Sequence, residues 1–340
     1  ILYFFGASAD TIGYARDYME IILAGNIITH MYLGLNAVIR ASGHPQKAMY
    51  ATINTVIINT ILDPIFIYGF DWGIRGAAIA TVLAQCISLI WQVRVMSDKR
   101  EFIHFKRGIY HLKSYIVKEV LTIGLSPCLM NLASCFVVIF INRGLLSYGG
   151  DYAVGAYGIV HKMTFIFVMI VMGFTQGMQP IAGYNYGARQ YSRVKEVFWK
   201  TAKLAMVMTT ICFFFGMFFP KAAAGIFTHD EQLLDMSARA LRITTIAFPI
   251  VGFQMISTNF FLSLGMVQKS VILSLARQIL FLLPLIYFLP LWFGSDGVWI
   301  SFPISDLLAT LLSIYMLGRL FGKFNKLKDG DDATILGSQL

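Results

Sequence analysis

The sequence is dominated by apolar runs that are long enough to cross a membrane. A bilayer core of about 30 Å requires about 20 consecutive apolar residues in a helix, and such runs recur along the whole chain. Hydrophobic residues make up 57% of the 340 residues and charged residues only 13%, with a mean hydropathy of +0.67. This composition predicts an all-α polytopic membrane protein and excludes a soluble domain.

We predict nine full membrane spans, preceded by the end of a partial one. Residues 1–6 are apolar and no basic segment precedes them, so we interpret them as the end of a span and not as a signal peptide. The nine spans are predicted at residues 17–39, 48–70, 76–97, 116–142, 152–175, 195–219, 237–262, 270–291 and 296–318.

Basic residues fall mainly in alternate loops. By the positive-inside rule, the loops that hold most of the 27 Lys and Arg are cytoplasmic. The net charge of +9 is therefore a feature of membrane topology. Because predicted spans separate these residues, they form no continuous basic face, and we expect no nucleic-acid partner. The basic loops lie near residues 40–47, 94–118, 189–203, 269–277 and 319–328.

A short internal repeat divides the chain into two halves. The stretch GHPQK at residues 43–47 resembles GMVQK at residues 265–269, which lies 222 positions later. Both copies begin a predicted cytoplasmic loop, so the two halves have the same orientation in the membrane. Parallel repeats of this kind place a substrate path between two halves of a transporter. The supporting glycine pairs are Gly73 with Gly294 and Gly76 with Gly297.

We therefore predict two pseudo-symmetric helical lobes. The second lobe holds six predicted spans and the first only three with the partial one, so we expect N-terminal helices to be absent from this chain. The predicted parts are an incomplete N-terminal lobe at residues 1–98, a basic cytoplasmic linker at 99–115, a C-terminal lobe at 116–320 and a cytoplasmic tail at 321–340.

Asp63 is a lone carboxylate inside the apolar run from about 48 to 70. A charge at membrane depth is costly, so it has a partner or a function. Asn59 lies four residues earlier and shares its helix face, while Pro64 removes a backbone donor beside it. Carboxylate, amide and backbone oxygens together suit a hard cation such as Na⁺, or a proton. The alternative is a buried Asp–Asn hydrogen bond that only packs helices.

The second half carries intramembrane charges of its own. Lys162, next to His161, and Asp306 each lie near the middle of a predicted span. We expect both charged groups to point into the interior of the C-terminal lobe, either as a second coupling or gating site or as a structural Lys–Asp pair, which we favour. Arg277 lies closer to the cytoplasmic end, where it can snorkel.

Four motifs in order resemble the multidrug and toxic compound extrusion (MATE) family, and most of all its DinF-like branch. They are IRASG at residues 39–43, LDPIF at 62–66, GAAIAT at 76–81 and QGMQPIAGYNYGA at 176–188. The resemblance implies twelve helices in two six-helix lobes. It also implies antiport of cationic or amphipathic small molecules against Na⁺ or H⁺ by alternating access.

The resemblance also implies which residues bind the coupling cation. Asn59, Asp63 and Thr81 match the branch in kind and spacing, and Tyr18 lies where the family often has a tyrosine. The aspartate of the first helix, which completes that site in the branch, is not in this chain. The short turn at 71–73 returns Thr81 to the level of Asp63, so we expect these side chains to converge.

Further expectations concern the substrate path and the setting of the protein. Gln176 and Gln179 lie near a span end and are candidates, with Lys162 and Asp306, for the substrate cavity or its gate. We find no enzyme motif and expect no cofactor beyond the coupling ion. The expected setting is the bacterial inner membrane, with a monomer that contacts lipid and a small-molecule substrate.

Two other functions remain open. A flippase for lipid-linked oligosaccharide has a related two-lobe fold, but it needs a strongly basic cavity for pyrophosphate. Lys162 alone is deeply placed here, which favours the antiporter. A receptor or structural membrane protein leaves the repeat and the polar residues at 59, 63 and 81 unexplained.

Overall fold

Helices form all the regular structure in the described part of the chain. A computed structural model describes residues 12–100, 103–106 and 113–331, and within these ranges the all-helical prediction is confirmed. The chain forms two compact units, residues 1–112 and 113–340. The predicted partial span at 1–6 lies outside the described residues, and the predicted domain limits at 98, 115 and 320 stay predictions.

The first unit is built from four helices in its described part. The first two are the arms of a pair bent by 55°, and the third continues past Pro64 as a π-helical turn at Ile65–Gly69. Proline lacks the N–H of a regular helix and crowds the preceding turn, which explains the change of helix type there. The helices are α1 (Ile12–Ala24), α2 (Asn26–Ala41), α3 (Pro45–Pro64) and α4 (Gly73–Ser97).

The second unit contains α5 to α13. Helix α5 is interrupted at Gly150, where φ is 66° and ψ is −165°, and a second π-helical stretch, Ala276–Leu282, follows α10. The helices are α5 (Ser114–Gly187), α6 (Tyr191–Phe218), α7 (Pro220–Gly225), α8 (Glu231–Thr245), α9 (Phe248–Ser263), α10 (Val267–Leu275), α11 (Leu283–Phe288), α12 (Pro290–Phe293) and α13 (Ser295–Phe324).

Several of these helices are suited to a bilayer. Within the described ranges, six are long and apolar enough to cross a membrane, or up to eight spans arise if each bent pair counts as one. The second bent pair, α8 with α9, turns by 58°. A chain with so many apolar helices is a multi-pass membrane protein, while the predicted number of nine spans stays a prediction.

The internal repeat has the same backbone in both copies. In the first copy, the N–H groups of residues 42, 43 and 44 donate to the carbonyl oxygens of residues 38, 40 and 39. In the second, those of residues 264, 265 and 266 donate to the oxygens of residues 260, 262 and 261. Gly43 and Gly265 have φ of 90° and 75°, which glycine adopts without a side-chain clash. The two halves therefore end this helix with the same hydrogen-bond pattern.

Two buried clusters hold the second unit together. In one, Phe198 of α6 and Phe260 of α9 are fully buried, with ring centroids 4.9 Å apart. In the other, Leu145 of α5 packs with Trp299 of α13. Aromatic rings bury a large apolar area and prefer such tilted contacts. The two clusters therefore hold α5, α6, α9 and α13 together.

The segment after α13 caps the start of α6. Asp329 accepts a hydrogen bond from the N–H of Ser192 at 3.0 Å and a second one from the Ser192 hydroxyl. The Tyr191 hydroxyl donates to the carbonyl oxygen of Asp331 at 3.1 Å. The hydrogen bond from the Ser192 hydroxyl lowers the pKa of Asp329, because it favours the charged carboxylate. A carboxylate in this position also stabilises a helix N-terminus.

Gly297→Ala should destabilise the second unit. A Cβ atom at position 297 would lie 2.5 Å from the carbonyl oxygen of Leu289, so the backbone would have to move at a cost of about 1–3 kcal/mol. Gly318→Ala is the matched control in the same helix, since nothing lies within 4 Å of its Cβ position. Thermal unfolding in detergent measures both variants, and equal midpoints would contradict the close approach.

Asp329→Asn should release the segment after α13. Because the folded pKa of Asp329 is lowered, its stabilising effect is present above the ordinary carboxyl pKa and disappears as the pH falls through the lowered value. At neutral pH the variant should therefore be cleaved several-fold faster by trypsin after Lys326 and Lys328. Glu196→Gln, which changes an exposed carboxylate on α6, is the control. Unchanged cleavage of Asp329→Asn would show that the segment is held by other contacts.

Candidate cation site and paired charge

Asn59, Asp63 and Thr81 come together in the first unit. The Asn59 side-chain amide donates to Oδ1 of Asp63 at 3.0 Å and to Oγ1 of Thr81 at 3.4 Å. The Thr81 hydroxyl in turn donates to the carbonyl oxygen of Ala77 at 3.0 Å. All three side chains are half-buried. The proximity expected from the sequence is therefore present.

Two local features produce this arrangement. Asn59 and Asp63 are one helical turn apart on α3, so their side chains project from the same face. Helix α4 approaches the π-helical turn closely at Gly76, where a Cβ atom would lie 2.6 Å from the carbonyl oxygen of Phe66. This contact sets the level of Thr81, which lies five residues further along α4.

The donor atoms suit a hard cation. A carboxylate, an amide and a hydroxyl provide oxygen ligands, which Na⁺ shares with other hard cations. Asn59 presents its amide nitrogen to both neighbours, so cation binding requires the amide to turn its oxygen inward. Across the described ranges, no group of three His, Cys, Asp or Glu side chains is arranged to hold a metal ion. Tyr18 is half-buried on α1, and in the described residues no hydrogen bond joins it to these three.

The site belongs to a longer polar seam between α4 and its neighbours α2 and α3, which sequence reasoning missed. The Thr55 hydroxyl donates to that of Ser88 at 2.7 Å, and the Thr29 hydroxyl donates to Oε1 of Gln85 at 2.5 Å. Thr55 lies one turn before Asn59, and Gln85 lies one turn after Thr81. This four-residue spacing of polar side chains on two consecutive apolar helices would have indicated the seam.

Asp306 forms its ion pair with Arg277, and the predicted partner Lys162 is not involved. Nε of Arg277 donates to Oδ1 of Asp306 at 2.7 Å, and the Asp306 side chain is only 5% exposed. The expectation that Arg277 snorkels to the cytoplasmic end is therefore wrong. The π-helical stretch carries Arg277 on the face that packs against α13, where an uncompensated Asp306 would be costly.

Lys162 does not point into the interior of the second unit, so that prediction is also wrong. It is exposed and lies over the ring of Phe227 at 5.9 Å. Its helix buries the adjacent face instead, through Ile159 and Val160. Gln176 is exposed and Gln179 half-buried, and their predicted role in the substrate cavity stays a prediction.

The fold and the polar groups held within it define a helical multi-pass membrane protein with the features of a transporter. The MatE family model matches residues 1–65 and 123–288, which is more than half of the chain. The chain belongs to the MatE family, whose members are transport proteins and not enzymes. Recognition of the family from sequence motifs is therefore confirmed.

Curated relatives share about a quarter of their residues with this chain. The multidrug export protein MepA of Staphylococcus aureus (strain bovine RF122 / ET3-1) is 24% identical over 315 residues, which cover 92% of this chain and 69% of MepA. MepA of Staphylococcus haemolyticus (strain JCSC1435) is 25% identical over 313 residues, covering 92% of this chain and 68% of that protein.

Solved structures show the same fold. An outward-facing multidrug resistance MATE family transporter of the MOP superfamily has a TM-score of 0.87 at 24% identity, covering 95% of this chain and 73% of that one. A MOP superfamily transporter from Pyrococcus furiosus, described as having a binding pocket of reverse polarity, has a TM-score of 0.88 at 24% identity with the same coverage.

Asp306→Asn should destabilise the second unit more than the double variant Arg277→Gln/Asp306→Asn. The single change leaves the guanidinium without its counter-charge, at a cost of about 3 kcal/mol, near the low end for a buried pair because Arg277 is 33% exposed. The double variant removes both charges and therefore leaves no unpaired charge. Thermal unfolding of both single variants and the double variant gives the coupling between the two positions, and additive effects would contradict a stabilising pair.

Proposed function

We propose that this chain functions as a cation-coupled antiporter that exports cationic or amphipathic small molecules by alternating access. One observation supports the coupling above all: the hydrogen-bonded group of Asn59, Asp63 and Thr81 lies within apolar helices. A carboxylate retained at this depth is a functional site by default. The coupling ion is Na⁺ or H⁺, and no other cofactor is proposed.

Asp63 supplies the charge that attracts the coupling ion. In a low-dielectric setting, a unit charge acts far more strongly on a nearby cation than it does in water. Asn59 and Thr81 then provide oxygens on either side, after the Asn59 amide has turned. A bound Na⁺ favours whichever arrangement of the helices presents these oxygens together, because a ligand shifts an equilibrium only through its differential affinity. A proton on Asp63 acts in the same way, by removing the charge.

Relatives support the type of cargo. The curated relatives are named as multidrug export proteins, and we extend that activity to this chain by proposal. We also propose membership of the DinF-like branch, a role for Tyr18 beside the cation site, and a monomer that contacts lipid directly. The apolar exteriors of the helices, with exposed Ile57, Ile61 and Tyr68 around the site-bearing turn, suit a lipid environment.

The alternative, a flippase for lipid-linked oligosaccharide, is less well supported. Such a cargo carries pyrophosphate, which demands several uncompensated basic groups in a cavity. Among the deep basic residues of the described chain, Arg277 is neutralised by Asp306 and Lys162 lies over an aromatic ring. Neither arrangement provides the cluster of positive charge that pyrophosphate requires.

Asp63→Asn should abolish gradient-driven export while leaving folding intact. Asparagine keeps the shape of the side chain and most of its hydrogen bonding, but it removes the charge that attracts the ion. The measurement is efflux of ethidium, a planar organic cation, from proteoliposomes under an imposed Na⁺ or H⁺ gradient. Thr81→Val, which removes only one oxygen, should reduce the rate without abolishing it.

Asp71→Asn is the matched control, because it removes a nearby carboxylate outside the cation site. Asp71 has a φ of 55°, a conformation that asparagine also tolerates. Export by this variant should be close to normal. If Asp63→Asn exports at a normal rate under the gradient, Asp63 only packs helices and the proposed coupling is wrong.

A further inference from the structure

The second unit contains a cavity that the cation site does not use. Its volume is about 320 Å³, and it is lined by α5, α8, α9, α13 and the π-helical stretch. This size lies at the lower end of the range for small-molecule sites, which suits one fused pair of aromatic rings. Arg277 and Asp306 both line the cavity, so it holds a charged pair within an otherwise mostly apolar wall.

The accessible charge in this cavity is positive. Asp306 is 5% exposed at its side chain, whereas Arg277 is 33% exposed. The hydrogen bond between them uses Nε of Arg277. Within the described ranges, Nη1 and Nη2 of Arg277 make no hydrogen bond to the protein. A ligand in the cavity therefore meets a planar donor group that is more exposed than the carboxylate beside it.

Aromatic rings form one wall of the cavity. The Tyr157 ring lies 6.3 Å from that of Phe302 in a stacked arrangement, 6.4 Å from that of Trp299 and 5.8 Å from that of His161. His161 in turn stacks on Phe165 at 5.9 Å. Flat aromatic ligands gain offset or edge contacts on such a surface.

We propose that this cavity binds planar aromatic carboxylates. The carboxylate accepts hydrogen bonds from the terminal amines of Arg277, whose fork geometry matches two oxygens, and the ring lies against Tyr157 and Phe302. An aromatic cation is a poorer ligand, because Asp306 is shielded and already paired. As a statement about substrate class, this inference rests on the proposed transport function, but the binding itself needs no cation gradient.

Isothermal titration calorimetry of the purified protein in detergent tests the proposal with three probes that share one ring system and are similar in size. They are 1-naphthoate, the neutral 1-naphthamide and the cation 1-naphthylmethylammonium. Naphthoate should bind roughly ten- to hundredfold more tightly than the other two, the effect of a charge-assisted hydrogen bond. Equal affinities would overturn the proposal, as would no binding of naphthoate. A preference for the ammonium probe would assign recognition to Asp306 and also overturn it.

Variants separate the charged contact from the aromatic wall. Arg277→Gln/Asp306→Asn keeps the cavity neutral and should remove the preference for naphthoate, whereas Arg319→Gln, which changes an arginine of α13 outside the cavity, should retain it. Phe165→Ala changes an exposed cavity residue, so it should fold normally and weaken all three probes. Normal naphthoate binding by the double variant would refute the assignment of Arg277.

The cation site provides a further control. Asp63→Asn should retain the preference for naphthoate over the other two probes even if it has lost export. Failure of naphthoate to bind would not affect the proposed coupling role of Asp63. Normal export by Asp63→Asn would not affect the proposal that this cavity binds carboxylates. The two proposals can therefore fail separately.

Discussion

Polar groups inside a bilayer must find partners within the protein, and this requirement governs the whole structure. Backbone groups meet it by forming helices throughout the described ranges. Side chains meet it in two different ways. In the first unit, Asp63 is hydrogen-bonded to a neutral amide. In the second, Asp306 is neutralised by Arg277. The first solution leaves a carboxylate available to a mobile cation, whereas the second pairs the carboxylate with a resident cation.

The two units use one backbone plan for these different chemistries. With the offset of 222 that relates Gly43 to Gly265, Thr55 corresponds to Arg277; with the offset of 221 that relates Gly76 to Gly297, Gln85 corresponds to Asp306. A neutral seam in the first half is thus replaced by an ion pair in the second. Conversely, Thr81 corresponds to Phe302, a residue of the aromatic cavity wall. Both copies of the repeat keep the same helix ends and the same close contact of a glycine with a neighbouring backbone, at Gly76 and Gly297. Side chains at other matching positions create two unlike sites.

Sequence reasoning succeeded where the contacts are local. Asn59 and Asp63 share a helix face, and a short turn returns Thr81 to their level, so helix geometry alone brings the three together. Sequence reasoning failed to predict that Arg277, and not Lys162, pairs with Asp306. That choice depends on how far each helix is rotated about its axis. An apolar run buried by neighbouring helices and another that faces lipid look alike in sequence. The bends between α1 and α2 and between α8 and α9 were also missed, although Gly25 lies at the first and Pro249 follows the second.

The two sites also differ in how readily they rearrange. Asp306 is nearly inaccessible, so breaking its bond to Arg277 would expose two charges to an apolar interior, which fixes the pair. Asn59, Asp63 and Thr81 are half-buried, and a single amide bridges the two oxygens. Turning that amide exchanges its donor for an acceptor and costs two hydrogen bonds, each worth about 1 kcal/mol net. A bound cation offsets such a cost easily. The site in the first unit therefore has the character of a switch, and the pair in the second has that of a fixed recognition group.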